Sequence, residues 1–200
     1  MTCIKLSGSV LTNAQGKDRA ADIIKETLPD LAKRTTFLWV GMFASNFRNP
    51  GPIKPAELPG SYGSHVFLAP VSPGTQMYIA GDESHNTGVF VSAILNRPEV
   101  ALPAKYAFVY TEKGSFQDYL RPWIDVTGRR TTFVEVSNEQ YESLWGPFGK
   151  ELRLMFETFE KQPDWTVAHK GDVVTADDLG IAKEDLVGTR AALEKEKDRL

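Results

Sequence analysis

The stretch Thr35-Thr-Phe-Leu-Trp-Val-Gly-Met-Phe43 decides the fold class. It is almost entirely apolar, it is rich in β-branched and aromatic residues, and it lacks the polar–apolar alternation of a half-exposed strand. A continuous apolar strand is typical of a parallel sheet that helices cover on both faces. We therefore predict a buried strand over 35–43 and an α/β fold.

The segments on either side of this stretch alternate between helical and strand patterns, as an α/β fold requires. Strands are predicted over a short apolar start and four later segments: Cys3–Leu6, His65–Ala69, Gln76–Ala80, Tyr106–Tyr110 and Thr131–Val136. Helices are predicted over Lys17–Leu28, Thr87–Leu95, 115–128, a short segment after Ser137, a longer one from Pro147, and Lys183–Leu200.

Local signals refine three of these helices. Ser115-Phe-Gln-Asp118 has the capping-box spacing and Gly128 is a stop signal, while Pro122 is expected to kink the helix between them or divide it. Ser137-Asn-Glu-Gln140 has the same capping-box spacing and is expected to begin the next, short helix. The helix from Pro147 is expected to bury Phe148 together with the apolar residues that follow on its face.

Composition excludes several classes of protein. A chain of 200 residues fits a single domain, and 23 basic against 26 acidic residues give a net charge of −3, so we expect no nucleic-acid partner. The single cysteine, Cys3, excludes an intrachain disulfide, and no apolar run reaches the ~20 residues of a membrane helix. A soluble cytoplasmic protein without membrane contact is therefore expected.

The residues alone do not define an active site. The glycine-rich dinucleotide motif, the G-x-S-x-G nucleophile elbow and a Tyr-x-x-x-Lys pair are all absent. The three histidines (His65, His85 and His169) have no metal-ligand spacing, so no metal site is predicted.

Several segments taken together resemble NmrA-like proteins, which are atypical short-chain dehydrogenase/reductase relatives common in fungi. The resemblance rests on Gly16-Lys17 and the helix after it, on Thr35–Phe47, on Ile79-Ala-Gly-Asp82, and on Asn86-Thr-Gly88 with the apolar run that follows. Thr175–Gly180 and Leu186–Thr189 add to it. Asn86 stands where relatives often have aspartate.

The resemblance implies a set of site residues. Lys17 corresponds to the lysine that approaches the nicotinamide and the substrate, and it is the implied catalytic residue. Gly41, Phe43, Ala44 and Asn46 are the implied cofactor-binding residues, because they follow the strand into the edge of the sheet where open α/β sheets bind ligands.

The same resemblance implies a partial Rossmann-like sheet that lacks its first βαβ units, together with a smaller α/β substrate-binding portion. We expect one NmrA-like domain over 1–200, in which 1–48 is the remnant of the dinucleotide-binding half and 49–200 is mainly the substrate side. NADP or NAD is the implied cofactor, and the missing glycine-rich turn argues against tight independent binding. The short N-terminal part also suggests that the chain is truncated relative to the family.

A sheet without its first strands leaves an open edge and exposed apolar surface. We therefore expect a homo-oligomer or a protein partner that covers this edge. The expected function is that of an NmrA-like oxidoreductase acting with NAD(P) on a small organic intermediate, for example in fungal secondary metabolism. Two alternatives stay open: a non-catalytic redox-sensing or regulatory binding protein, and a cofactor-free isomerase or cyclase.

Overall fold

The computed structural model describes residues 12–200, with side chains described from residue 19 onward except at 168. The helices are α1 (Thr12–Thr27), α2 (Pro29–Ala32), α3 (Glu83–Asn96), α4 (Pro98–Ala101), α5 (Phe116–Thr127), α6 (Asn138–Lys161) and α7 (Thr189–Lys195). The strands are β1 (Phe37–Val40), β2 (Met42–Phe43), β3 (Ala56–Glu57), β4 (His65–Ala69), β5 (Gln76–Gly81), β6 (Tyr106–Val109), β7 (Glu112–Ser115), β8 (Thr131–Glu135) and β9 (Val173–Val174). Short 3-10 helices cover Ala44–Phe47, Trp165–His169, Lys183–Asp185 and Lys197–Arg199. The strand predicted over Cys3–Leu6 lies outside the described residues.

The strands form three groups of three, in the orders β1-β6-β9, β2-β5-β7 and β3-β4-β8. The first group is parallel throughout, whereas β7 and β3 each pair antiparallel with a neighbour. Parallel strands alternating with helices confirm the predicted α/β class.

The apolar stretch 35–43 is two strands rather than one, because the chain changes its neighbour at Gly41. The Gly41 amide donates to the Val109 carbonyl of β6 at 3.0 Å, and the next two residues pair with β5. A Cβ at Gly41 would stand 2.6 Å from the backbone carbonyl oxygen of Tyr78, so only glycine allows the chain to come this close to β5.

Burial along β1 also differs from the prediction. Trp39 is 2% exposed, but Leu38 on the opposite face is 41% exposed, so the strand is not covered on both faces by the described residues. Within those residues β1 pairs only with β6. A partner at this edge stays a prediction.

Aromatic side chains fill the centre of the molecule. Trp39 stacks on Phe108 with ring centroids 4.7 Å apart. The ring of Tyr78 also contacts Phe108, with centroids 4.7 Å apart. Phe159 of α6 stacks on Trp165 at 4.4 Å. These contacts connect the β1-β6-β9 and β2-β5-β7 groups and the longest helix into one core, which fixes the carboxyl ends of β2 and β5 relative to that core.

The start and stop signals predicted for α5 and the helix start predicted at Pro147 in α6 are confirmed. Ser115 and Asp118 form the reciprocal capping box of α5, and Gly128 ends that helix with φ 69°. Of the two outcomes expected at Pro122, a kink or a division of the helix, the division is wrong, because α5 is continuous across this residue. Tyr119 and Trp123 on the same face are fully buried, and their packing offsets the hydrogen bond that proline removes. In α6, Gly146 adopts φ 59° and ψ −142°, and Pro147 begins the second part as predicted.

Two predictions about the C-terminal half are wrong. Phe148 is 54% exposed, although Phe156 and Phe159 of the same helix are buried. The helix expected over 183–200 is reduced to the seven residues of α7 between two 3-10 turns. Before α7, the Val187 amide and carbonyl both bond to Asn86, and this tertiary contact holds the segment extended.

Candidate functional site

The carboxyl ends of β2 and β5 meet at one edge of the molecule. The two strands are parallel, with Phe43 opposite Gly81. The first continues into the 3-10 helix Ala44–Phe47, and the second continues through Asp82, the N-cap of α3. Ligands of open α/β sheets bind outside the carboxyl ends of parallel strands, so this edge is the candidate site.

The four residues implied as cofactor contacts fall into two groups at this edge. Gly41 and Ala44 are buried, and the structure gives Gly41 a role in the close approach of β2 to β5. Phe43 and Asn46 are half-buried. All four lie on one continuous segment, and their contact with a cofactor stays a prediction.

Tyr119 of α5 holds this segment in place. Its hydroxyl donates to the Phe43 carbonyl at 2.5 Å and accepts from Asn46 Nδ2 at 3.4 Å. Its ring stacks on Phe47 with centroids 4.5 Å apart. Tyr119 is fully buried, and burial raises the pKa of its phenol well above the ordinary value, so it remains a neutral donor. The sequence indicated a helix over 115–128 but gave no sign that Tyr119 reaches across to Asn46.

A cavity of about 100 Å³ lies next to this segment, between the start of α3 and α7. Charged pairs close it: Arg48 contacts Glu196 at 2.8 Å and Lys195 contacts Asp82 at 3.2 Å. Burial alone would raise the pKa of Asp82, but the His85 amide and the Lys195 ammonium outweigh it and the pKa is lowered. The cavity wall is therefore polar: Asp82 and Glu196 are paired with cations, and Glu83 accepts a hydrogen bond from the Ser45 hydroxyl.

The N-termini of α3, α5 and α6 do not fit the pyrophosphate of a dinucleotide. That group needs a free helix N-terminus after a glycine-rich turn. The N-terminus of α3 carries the Asp82 carboxylate as its cap with Glu83 beside it, which opposes a bound anion. The N-termini of α5 and α6 are filled by the side chains of their own capping boxes.

Lys17, the implied catalytic residue, lies by its backbone in α1. Further along the same helix, Ala21 is buried and Lys25 Nζ stands 4.3 Å above the Tyr106 ring. The helix rise separates the α-carbons of Lys17 and Lys25 by about 12 Å along the axis. The last turns of α1 thus lie at the start of β6, and Lys17 lies toward the other end of the helix.

Two further classes of site are missing from the part of the chain that the structure describes. No group of three histidine, cysteine or carboxylate side chains could hold a metal ion there. No helix between 12 and 200 combines the length and the apolar character of a membrane span.

No model of a known protein family matches the chain, and no curated protein matches it. Solved structures do. The chain is similar to NmrA, described as a negative transcriptional regulator in complex with NAD, with TM-score 0.59 and 16% identity over 82% of this chain and 55% of that one. It is also similar to an isoflavone reductase, with TM-score 0.61 and 14% identity over 97% of this chain and 61% of that one.

A structure described under pinoresinol-lariciresinol and phenylcoumaran benzylic ether reductases gives TM-score 0.61 and 15% identity, over 98% of this chain and 60% of that one. The chain therefore spans about three fifths of these structures. At these identities the likeness establishes the fold: the chain has the NmrA-like fold, a partial Rossmann-like α/β architecture shared by regulators and reductases.

Proposed function

We propose that this chain is an oxidoreductase-type protein of NmrA-like fold that acts with NAD(P) on a small organic molecule. In this proposal residues 1–48 belong to the dinucleotide side and 49–200 mainly to the substrate side. The reacting end of the dinucleotide and the substrate would lie against the segment 43–46, and the resemblance implies that Lys17 would approach them there.

The observation that carries the proposal is the anchoring of this segment at the carboxyl ends of β2 and β5. Tyr119 fixes both the Phe43 carbonyl and the Asn46 amide from a fully buried position. A loop held in this way contributes groups to a ligand at low entropic cost, which is what a binding site needs. The half-buried Asn46 side chain supplies a carbonyl oxygen and a second amide hydrogen for such a ligand.

Lys17 would supply the proton chemistry. A lysine ammonium close to a carbonyl substrate polarises its oxygen and donates a proton to it as negative charge develops. The bound dinucleotide would supply the hydride. Because the N-termini of α3, α5 and α6 do not fit the pyrophosphate, we infer that tight dinucleotide binding requires groups other than these.

The test is a titration of NADPH fluorescence with the purified chain, followed by NADPH oxidation with a panel of small ketones and enones. We expect saturable binding that Asn46→Ala weakens by about tenfold, and turnover that Lys17→Ala abolishes. Lys150→Ala, an exposed lysine of α6, is the matched control and should match the wild type. No binding up to millimolar NADPH, or full turnover in Lys17→Ala, would contradict the proposal.

A second candidate function is a dinucleotide-responsive regulator without turnover. It is favoured by the structures of NmrA, described as a negative transcriptional regulator in complexes with NAD and with NADP. The two candidates differ in one measurement. A regulator binds both NAD and NADPH without consuming either in the presence of any substrate, whereas an oxidoreductase consumes the reduced form.

A further inference from the structure

The cavity beside the segment 43–46 is bordered by the C-terminal part of the chain. Its lining includes Ala44 and Ser45, which belong to the 3-10 helix that follows β2. It also includes four residues of α7 and of the position after it: Ala192, Leu193, Lys195 and Glu196. Ala44 is only 2% exposed. The C-terminal residues therefore help to keep solvent away from one side of the candidate segment.

Two consecutive side chains of opposite charge hold the C-terminal part to the elements around this cavity. Glu196 accepts from Arg48 Nη1 through both carboxylate oxygens, at 2.8 and 3.0 Å, and Arg48 directly follows the 3-10 helix. Lys195 Nζ is 3.2 Å from Oδ2 of Asp82, the N-cap of α3. Lys195 and Glu196, which we call the 195–196 bridge, thus connect the end of the candidate segment to the start of α3.

The 195–196 bridge lies at the end of a short helix, between two points where the chain is attached to the core. α7 has only seven residues, too few to be stable alone, and Leu193 attaches it by its burial, at 1% exposure. Beyond the bridge, the Leu200 carbonyl accepts from Arg129 Nη1 at 3.1 Å. Helix ends open locally at a much lower free energy than the core unfolds. The bridge can therefore release while Leu193 stays buried.

Water and salt reach both ion pairs of the bridge. The side chains of Arg48 and Glu196 are 36% and 31% exposed, and that of Lys195 is 57% exposed. Pairs with this exposure stabilise a contact only slightly, and salt screens them. Each pair should therefore shift the equilibrium between the attached and the released bridge about threefold. Salt should shift it further, because it weakens both pairs at once.

We propose that residues 195–200 form a salt-sensitive cover over one side of the candidate segment, and that the 195–196 bridge holds this cover closed. Release of the bridge opens the cavity and exposes Ala44 and Ser45 to small molecules in solution. The cover thereby controls access to this side of the segment. The proposal concerns the motion of the chain itself and stands independently of the proposed function.

Labelling of a thiol placed under the cover tests this motion. Ala44→Cys puts a cysteine at the cavity wall, in a Cys3→Ser background that removes the natural cysteine. Iodoacetamide is the reagent, because it is neutral and added salt does not change its electrostatic attraction to the protein. Ala69→Cys, at a core position that is 0% exposed and does not line this cavity, reports global opening. The ratio of the two labelling rates measures the opening of the cover.

Labelling at position 44 should respond to each charge of the bridge. We expect Glu196→Gln and Lys195→Gln each to raise this ratio about threefold, and about 1 M NaCl to raise it up to about tenfold without any substitution in the bridge. Glu157→Gln is the matched control, because the Glu157 side chain is also 31% exposed and pairs with Arg153 and Lys161 on α6. This control should leave the ratio unchanged.

Two results would overturn the proposal. Equal labelling rates at positions 44 and 69 would mean that the cavity opens only when the whole chain unfolds, so there is no cover. A ratio that neither salt nor Glu196→Gln changes would mean that the bridge does not hold the cover. If Ala44→Cys lowers the melting temperature, Ala192→Cys takes its place, because Ala192 lines the same cavity from α7 and should respond in the same way.

Discussion

Asn86 is the residue whose replacement most sharply tests this structure, because its side chain has both of its polar atoms engaged in the interior. It is 0% exposed, and Nδ2 donates to the Ala80 carbonyl at 2.7 Å and to the Val187 carbonyl at 2.9 Å. Its Oδ1 accepts from the Val187 amide at 2.9 Å. The side chain thus connects β5, α3 and the extended segment before α7.

Asn86→Asp keeps the shape and reverses the hydrogen bonding. The oxygen that replaces Nδ2 faces the carbonyl oxygens of Ala80 and Val187. A carboxylate in this buried position is strongly disfavoured, so the aspartate carboxyl is expected to remain protonated in the folded state. An unfolded aspartate has a pKa of about 3.9, so holding it neutral at pH 7 costs about 4 kcal/mol. A protonated carboxyl has one donor where Asn86 Nδ2 has two, and the lost hydrogen bond adds about 1 kcal/mol to the loss of stability.

The penalty has a defined pH dependence. The folded pKa of the new carboxyl lies above the unfolded one, so the folded state binds more protons and the variant loses stability as pH rises. Relative to the wild type, we expect a loss of about 5 kcal/mol at pH 7 that shrinks to about 1–2 kcal/mol at pH 4. Asn86→Ala, which cannot titrate, should lose about 3 kcal/mol at both pH values.

Urea denaturation of the three proteins at pH 4, 5.5 and 7 measures these differences. Taking variant against wild type at each pH cancels the titration of the shared groups. An Asn86→Asp variant within 1 kcal/mol of the wild type at pH 7, or one whose deficit does not change with pH, would refute the buried donor role. The two carbonyls of Ala80 and Val187 require an amide at this position.

Three further predictions concern the elements around the candidate site. Gly41→Ala should cost about 2 kcal/mol in urea denaturation, because its Cβ would stand 2.6 Å from a carbonyl oxygen of β5, while Gly74→Ala, whose Cβ meets only a side-chain oxygen at 3.7 Å, should cost little. Ser115→Ala should cost about 1 kcal/mol through the lost cap of α5. Hydrogen bonds from Ser115 lower the pKa of the Asp118 carboxyl in the folded state. The capping box therefore stabilises the folded chain fully above the pKa of the unfolded carboxyl, and this stabilisation is lost as pH falls through the pKa of the folded carboxyl. In an acid titration Asp118→Asn should lack this loss. Tyr119→Phe should cost about 1–2 kcal/mol and weaken NADPH binding, whereas a variant that lost stability but bound normally would separate Tyr119 from the site.

Local patterns predicted the elements better than their pairing. The capping boxes at Ser115 and Ser137 and the break before Pro147 were readable, because each depends on residues within a few positions of one another. The division of 35–43 at Gly41 was not readable, since it depends on the approach of the distant strand β5. The same holds for the C-terminal segment, where Asn86 holds Val187 extended across 101 positions of sequence.

For the candidate site, the resemblance supplied residues and the structure supplied their environment. The sequence placed Phe43 and Asn46 together after an apolar strand, because consecutive residues must leave the sheet at the same edge. It did not indicate Tyr119, which reaches Asn46 from 73 positions away, nor the Asp82 cap that excludes a pyrophosphate from α3.

The sequence by itself determined the α/β class and the capped starts of α5 and α6, because apolar periodicity and capping are local properties. The tertiary structure alone decided which strand lies beside which and which polar atoms are buried together. These depend on contacts between residues far apart in the chain, and no local pattern encodes such a contact in advance.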